Sequence, residues 1–302
     1  MLVWFLFAFG SALMQSAASA LANKAVQLGQ YSKITLSFIT TATTSIIMFA
    51  VTFLFLGVPE LKEGFWLAVL VTGSLNVVMI PLGFRAYELG EFSTVYSMAL
   101  TTPIFLLFTA WIFLGEIPPV LGMVGVVFTV IGLWQISKAH HEKTEAKDFK
   151  KGNLFALAVA LLASISVNFD KLATVRSGPV FSYAVILGIL AVTYAAYLLV
   201  TKRTLIVRTG TRAQNLEGVM VGNFFVRAAF FILLAGVAQA FNGFFYNSAL
   251  TIGLASYTSA VKRMGILFGI LWGWLFFREK NISKKLLGAG IAVAGVLLIL
   301  LS

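Results

Sequence analysis

The second half of the chain repeats the first, and this constrains the fold more than any other feature. Displaced by 163 positions, the sequence aligns with itself without a gap. Gly90 falls on Gly253, Ser93 on Ser256, Phe105 on Phe268, Trp111 on Trp274, Phe113 on Phe276, Glu116 on Glu279, Gly125 on Gly288 and Gly132 on Gly295. In each copy a long apolar run ends in an acidic turn, and a Gly-punctuated apolar run follows. The matched residues set backbone geometry and helix ends, which shared hydrophobicity alone would not align. The chain is therefore expected to fold as two copies of one unit.

What surrounds those copies follows from polarity. Only 11% of the 302 residues are charged and 60% are hydrophobic, whereas soluble domains carry roughly 25% charged residues. Apolar runs of about twenty residues recur from end to end, each long enough to cross the hydrocarbon layer as a helix. The lipid bilayer is thus the expected solvent, with a multi-pass protein of the plasma membrane as the setting. The start, Met1 to Phe5, has no positive n-region, so the first run is read as a retained span. No Cys is present, and the two His residues, His140 and His141, sit in the most charged segment. Neither a metal centre nor a cofactor is expected. The formal charge of +11 is dispersed between apolar runs, which speaks for membrane orientation signals and against nucleic acid.

Ten spans are predicted, near 3–23, 33–56, 65–86, 93–114, 119–137, 153–173, 180–200, 226–249, 255–277 and 284–301. Gly57-Val58-Pro59, Pro118-Pro119 and Ser177-Gly178-Pro179 punctuate the breaks. The organisation is a five-helix repeat over 1–137, a charged connector over 138–152 and a second repeat over 153–302. The stretch 201–225 is the least regular and has room for a surface helix. The first helices repeat at an offset of 147, Lys24 falling on Lys171. With five spans per copy the second must insert upside down, which predicts an all-α bundle of two inverted repeats around a central cavity. Connectors 1–2, 3–4, 5–6, 7–8 and 9–10 hold 16 of the 22 Lys and Arg, which places them in the cytoplasm and both termini outside.

Leu114-Gly115-Glu116-Ile117-Pro118-Pro119 with Gly122, Gly125 and Gly132 resembles the end of an EamA-type repeat of the drug/metabolite transporter superfamily. Phe276-Phe277-Arg278-Glu279-Lys280 with Gly288, Gly290 and Gly295 repeats it, and Ala86-Tyr87-Glu88-Leu89-Gly90 through Pro103 is similar to that family's fourth helix. The resemblance covers nearly the whole chain. It implies a ten-helix bundle with a central cavity, alternating access, and movement of small organic solutes. The chain departs from it at Ser97, where many relatives carry proline, and in the side on which its basic connectors fall.

Among individual residues, Lys262 and Arg263 stand out, because they fall inside the ninth span. Counted from Ala255 at 1.5 Å per residue, Arg263 lies about 12 Å in, near the bilayer middle. A cation there costs roughly 2.5–3.5 kcal/mol, so each needs a partner or water. Their repeat counterparts are Ala99 and Leu100. Two readings stand: they line a cavity and attract a carboxylate, phosphate or other anion, or they are buried against a fixed acid, Asp170 being the best placed, or snorkel to a membrane face.

Ser259 shares a stripe with Ser256 and Arg263. Asn242 and Tyr246 close the eighth span, Asn76 takes a comparable place in the third, and Tyr96 opens the fourth. Amides and phenols donate and accept, which suits a solute held weakly, although packing and interface anchoring use them too. Pro103, opposite Ile266 in the repeat, predicts a bend with a freed carbonyl beside the cavity. Lys24, Asp170 and Lys171 read as gating residues or as anchors at matched helix ends. Glu116 and Glu279 read as turn and helix caps.

No catalytic set and no nucleotide-binding Gly loop appears, so an enzyme is not expected. The chain is expected to be a secondary transporter, an exporter of small metabolites or drugs, amino-acid-like and anionic solutes included. A carrier or flippase for nucleotide-linked or lipid-linked sugars, or a membrane scaffold without transport, are the alternatives. The partners expected are a small-molecule substrate, the bilayer and a second copy in a homodimer.

Overall fold

The computed structural model describes residues 2–28, 33–89, 95, 98–138, 149–201, 218–269 and 283–302. All regular structure among them is helical. In chain order the helices are α1 (Leu2–Leu28), α2 (Lys33–Val51), α3 (Phe65–Leu89), α4 (Thr102–Leu114), α5 (Val120–Lys138), α6 (Phe149–Ser177), α7 (Pro179–Val200), α8 (Gly218–Ile252), α9 (Ala255–Arg263) and α10 (Ser283–Leu301). A π-helical turn, Thr52–Leu56, continues α2.

Among the described residues, six helical segments are long and apolar enough to cross a membrane: Leu2–Ala22, Ile34–Leu56, Phe65–Leu89, Lys150–Ser177, Pro179–Val200 and Ala228–Ile252. Thr102–Leu114, Val120–Ile136 and Leu287–Leu301 are shorter apolar helices. The repeat partners Gly90, Ser93, Trp274, Phe276 and Glu279, the His pair and Tyr96 lie outside the described residues. So does most of the irregular stretch after Thr201; from Gly218 the chain is already helical and runs without a break into α8.

The packing respects the internal repeat. The most extensive contacts pair α1 with α8, α5 with α10, α3 with α6, and α2 with α7. Exchanging the halves turns α1–α8 into α6–α3 and leaves the other two pairs unchanged.

Glycines show the register of one such pair. A Cβ on Gly125 would stand 2.7 Å from the Gly295 carbonyl oxygen, and one on Gly288 would stand 2.6 Å from that of Gly132. Each glycine of α5 thus meets the repeat counterpart of the other, a reciprocal contact of two-fold type. Sequence number rises along α5 as it falls along α10, so these helices cross antiparallel. Backbones approach this closely only where side chains are absent, which is the role of small residues at helix crossings in lipid.

Two helices are interrupted at matched places. Before α4 the chain turns at Leu100–Thr101, with Thr101 N–H on the Met98 carbonyl at 3.0 Å and Ile104 N–H on that of Thr101 at 2.9 Å. After α9, Met264 N–H reaches the Val261 carbonyl at 3.0 Å and Leu267 N–H that of Met264 at 2.8 Å. Each residue of the second set is one of the first plus 163. Pro103, expected as a mid-span kink, stands instead in the first turn of α4, where its missing N–H costs nothing. The same interruption forms at Met264 without a proline.

Candidate functional site

Lys262 and Arg263 occupy the last turn of α9, where carbonyls freed by the Met264 turn present the negative end of the helix. Lys262 directs its ammonium onto the face of Tyr246 in α8, 3.6 Å from the ring centroid. The Arg263 Nη2 donates to Thr102 Oγ1 at 3.3 Å, so it reaches the other interrupted helix next to Pro103. Among the described residues neither cation forms a salt bridge; the ion pairs there are Arg85–Glu88 and Lys171–Glu116.

A ring face contributes up to about 2 kcal/mol when desolvated, and a helix C-terminus about 0.3–1 kcal/mol, up to about 2 kcal/mol where partly buried. Together they rival the roughly 2.5–3.5 kcal/mol cost of a cation at that depth. For Lys262, which has both, the cost is thus largely offset without a salt bridge, while Arg263 has the helix end and its Thr102 bond.

Asp170 faces the same region from α6. Among the described residues it forms no salt bridge with either cation. Its Oδ1 accepts from the Thr72 hydroxyl of α3 at 2.5 Å, and its charge acts on Lys262. Thr72 also touches the Ser166 hydroxyl at 2.6 Å and the Ser166 carbonyl at 3.1 Å. Asn76 donates to Ser166 Oγ at 3.3 Å and to the Thr72 carbonyl at 2.8 Å. Thr72 and Asn76 are one helical turn apart, as are Ser166 and Asp170, so two polar stripes meet across the α3–α6 crossing. Asp170, Lys262, Arg263 and Asn76 are half-buried.

The other predicted residues are dispersed. Asn242 is buried in the α1–α8 crossing, where it takes a hydrogen bond from Ser11 at 2.8 Å and gives one to Gln15 at 2.9 Å. Beside it, Gln239 donates to the Tyr183 hydroxyl of α7 at 2.9 Å. Ser259 is buried on α9. Lys24 is exposed, and because α1 runs to Leu28 and α6 to Ser177, neither Lys24 nor the Asp170–Lys171 pair marks a helix end. The expectation of end anchoring at those residues does not hold.

Lys171 points away from Asp170 into a separate cluster. Gly115 adopts a left-handed conformation (φ 66°) and closes α4, with its N–H on the Trp111 carbonyl and that of Glu116 on the Ala110 carbonyl. This turn aims the Glu116 carboxylate sideways. Its Oε1 accepts from Lys171 Nζ at 2.6 Å and its Oε2 from the backbone N–H of Ala255 at 2.8 Å. Lys171 also donates to the Gly253 carbonyl at 2.6 Å. The expected capping role of Glu116 is thus exercised on α9 rather than on its own turn. One carboxylate and one ammonium tie the ends of α4, α8 and α9 to the C-terminal part of α6. A cavity of about 420 Å³ adjoins them, lined also by Trp4, Leu254, Tyr257 and Ser302, so the cluster lies at the end of the bundle that carries both chain termini.

Sequence reading missed Thr72, Ser166, Thr102, Tyr183 and Gln239. The signal available was the i, i+4 spacing of Thr72 with Asn76 and of Ser166 with Asp170 inside otherwise apolar runs.

A solved crystal structure superimposes on 99% of this chain and 97% of its own length with a TM-score of 0.78. At 15% identity that likeness concerns the fold alone. A search of curated proteins finds no match. A sequence profile of the EamA-like transporter family matches residues 2–138 and 150–301, which are the two copies of the repeat. The chain belongs to the EamA-like transporter family, and so to the membrane transporters.

Proposed function

We propose that this transporter is a secondary carrier that exports small organic anions or zwitterions across the plasma membrane by alternating access. Ten spans in two inverted five-helix repeats enclose a central chamber in this reading. Support comes from the antiparallel glycine crossing of α5 with α10 and from helix contacts that survive exchange of the halves.

The observation that carries the substrate class is the Lys262–Arg263 pair, half-buried and without a carboxylate partner among the described residues. A carboxylate or phosphate would find two donors on one helix end, with Thr102 and Tyr246 beside them. Asn76, Asn242, Ser259 and Tyr96 are the polar groups proposed to meet the body of the solute. The Glu116–Lys171 cluster acts as a gate that holds the terminal side shut. With the Lys- and Arg-rich connectors in the cytoplasm, that leaves the chamber facing inward, where an exporter loads.

The test is transport in proteoliposomes by Lys262→Ala and Arg263→Ala. Carriage of anionic solutes is expected to fall at least about tenfold, as for a lost charge-assisted contact, while neutral solutes continue to move. Unchanged transport of every solute would sink this reading. Phosphate of a nucleotide-linked or lipid-linked sugar would meet the same cations, and loss confined to such compounds would favour a sugar-nucleotide carrier or flippase.

A further inference from the structure

Asp170 is a half-buried carboxyl without an ion-pair partner among the described residues, and its hydrogen bonds are arranged for two protonation states. A hydroxyl has one proton to give. The Thr72 proton lies on Asp170 Oδ1 at 2.5 Å, which suits a carboxylate. A second acceptor for the same proton, the Ser166 carbonyl, already stands 3.1 Å from Thr72 Oγ1. If Asp170 takes a proton, its new O–H can donate to Thr72 while the Thr72 proton turns to Ser166. No buried donor or acceptor is lost in the exchange. Ser166 and Asn76 supply further donors in line, Asn76 to Ser166 Oγ at 3.3 Å and Ser166 to Thr72 at 2.6 Å. A carboxyl with a purely structural role needs only one of these arrangements.

The charges around Asp170 supply the coupling. Lys262 acts on it from α9, with Arg263 beyond, and its charge is felt by Tyr183 of α7 and Tyr246 of α8. Helix α3 offers only Thr72 and Asn76, and near the end of α4 Glu116 is held by Lys171. A charged Asp170 is therefore compensated by the Thr72 hydrogen bond and, beyond it, by Lys262. An anion that binds Lys262 and Arg263 takes the Lys262 part of that compensation for itself.

We propose that Asp170 is a proton site coupled to anion binding: a carboxylate while Lys262 and Arg263 are free, and a carboxylic acid while they hold an anion, so that one proton travels with each anion. The inference rests on the anion site put forward above. The proton comes from solvent and forms the O–H bond of Asp170; release on the far side restores the carboxylate and the Thr72 bond.

Two measurements on the full-length purified protein test it. Infrared difference spectra between alkaline and acid buffer should show a carboxylic C=O band that Asp170→Asn abolishes and Asp170→Glu shifts. Inorganic phosphate and succinate, added to weakly buffered protein with a pH-indicator dye, should be bound with uptake of about one proton per anion. Asp170→Asn should bind the anion without that uptake. A spectrum from which Asp170→Asn removes no carboxylic component overturns the proposal. So does anion binding that takes up no proton, and in that case the anion site itself stands. If neither anion binds although the band is present, the anion site falls and this coupling falls with it.

Discussion

Glu116 and Lys171 show how much one buried pair can organise. Their side chains retain only 10% and 17% exposure, and between them they make three short bonds that involve three helix ends. Removing one partner leaves a buried charge alone, a loss of about 3–5 kcal/mol, whereas replacing both with apolar groups is far milder. Lys171→Met should therefore lower thermal stability in detergent by much more than the double variant Glu116→Leu with Lys171→Met. Equal melting shifts would mean that the pair is not coupled.

Lys262 and Arg263 were legible in the sequence because a charge inside an apolar run is conspicuous. Thr72 and Ser166 were not, since hydroxyls are common in such runs and usually bond back to their own helix. Thr40 and Thr41 do so, each to the carbonyl one turn earlier. Only the helix opposite distinguishes Thr72 from them, and a linear reading does not contain it.

Among elements, the interruptions at Thr101 and Met264 decide what the proline does. A turn that forms equally at Met264 without one is set by the surrounding packing. Pro103→Ala is accordingly expected to keep the break in the fourth span, with amide exchange at Thr101 and Thr102 unchanged to within a few fold and stability altered by less than about 1.5 kcal/mol. A fourth span that became protected throughout would show that the proline makes the turn.

The crossing of α5 with α10 should be much less tolerant. A Cβ on Gly132 would collide with the backbone at Ala292 and Gly288, so Gly132→Leu must separate the helices. A fall in melting temperature of several degrees is expected, with none from the same change at Gly83, which has nothing within 4 Å. The offset of 163 revealed these glycines as important. Their reciprocal contact required the second copy to be seen inverted against the first.

At the scale of the molecule the absence of cysteine is an experimental advantage. Single cysteines at Val58 and Ser302, labelled in intact cells by a membrane-impermeant maleimide, should react from one side. One at Lys150 should react from the other. Labelling of all three from the same side would refute the ten-span inverted arrangement. A cysteine pair at Pro119 and Ile252, which both line the cavity beside Glu116 and Lys171, should arrest transport when bridged and restore it on reduction. The helical, membrane-embedded class and the two-copy plan were readable from apolar runs and matched glycines. Which end of the bundle is closed was not, because closure depends on the Glu116 carboxylate reaching residues 55 and 139 positions away.

The paired interruptions, alike in backbone and unlike in charge, have an electrical consequence. Only the turn at Met264 carries bare cations; its twin at Thr101 follows Ala99 and Leu100. A membrane voltage does about 2.3 kcal/mol of work per elementary charge per 100 mV of field crossed. Any travel of the α9 end along the membrane normal is thus a displacement current, while the matching travel at α4 is electrically silent. A frame that is mechanically even-handed is lopsided as a conductor of charge.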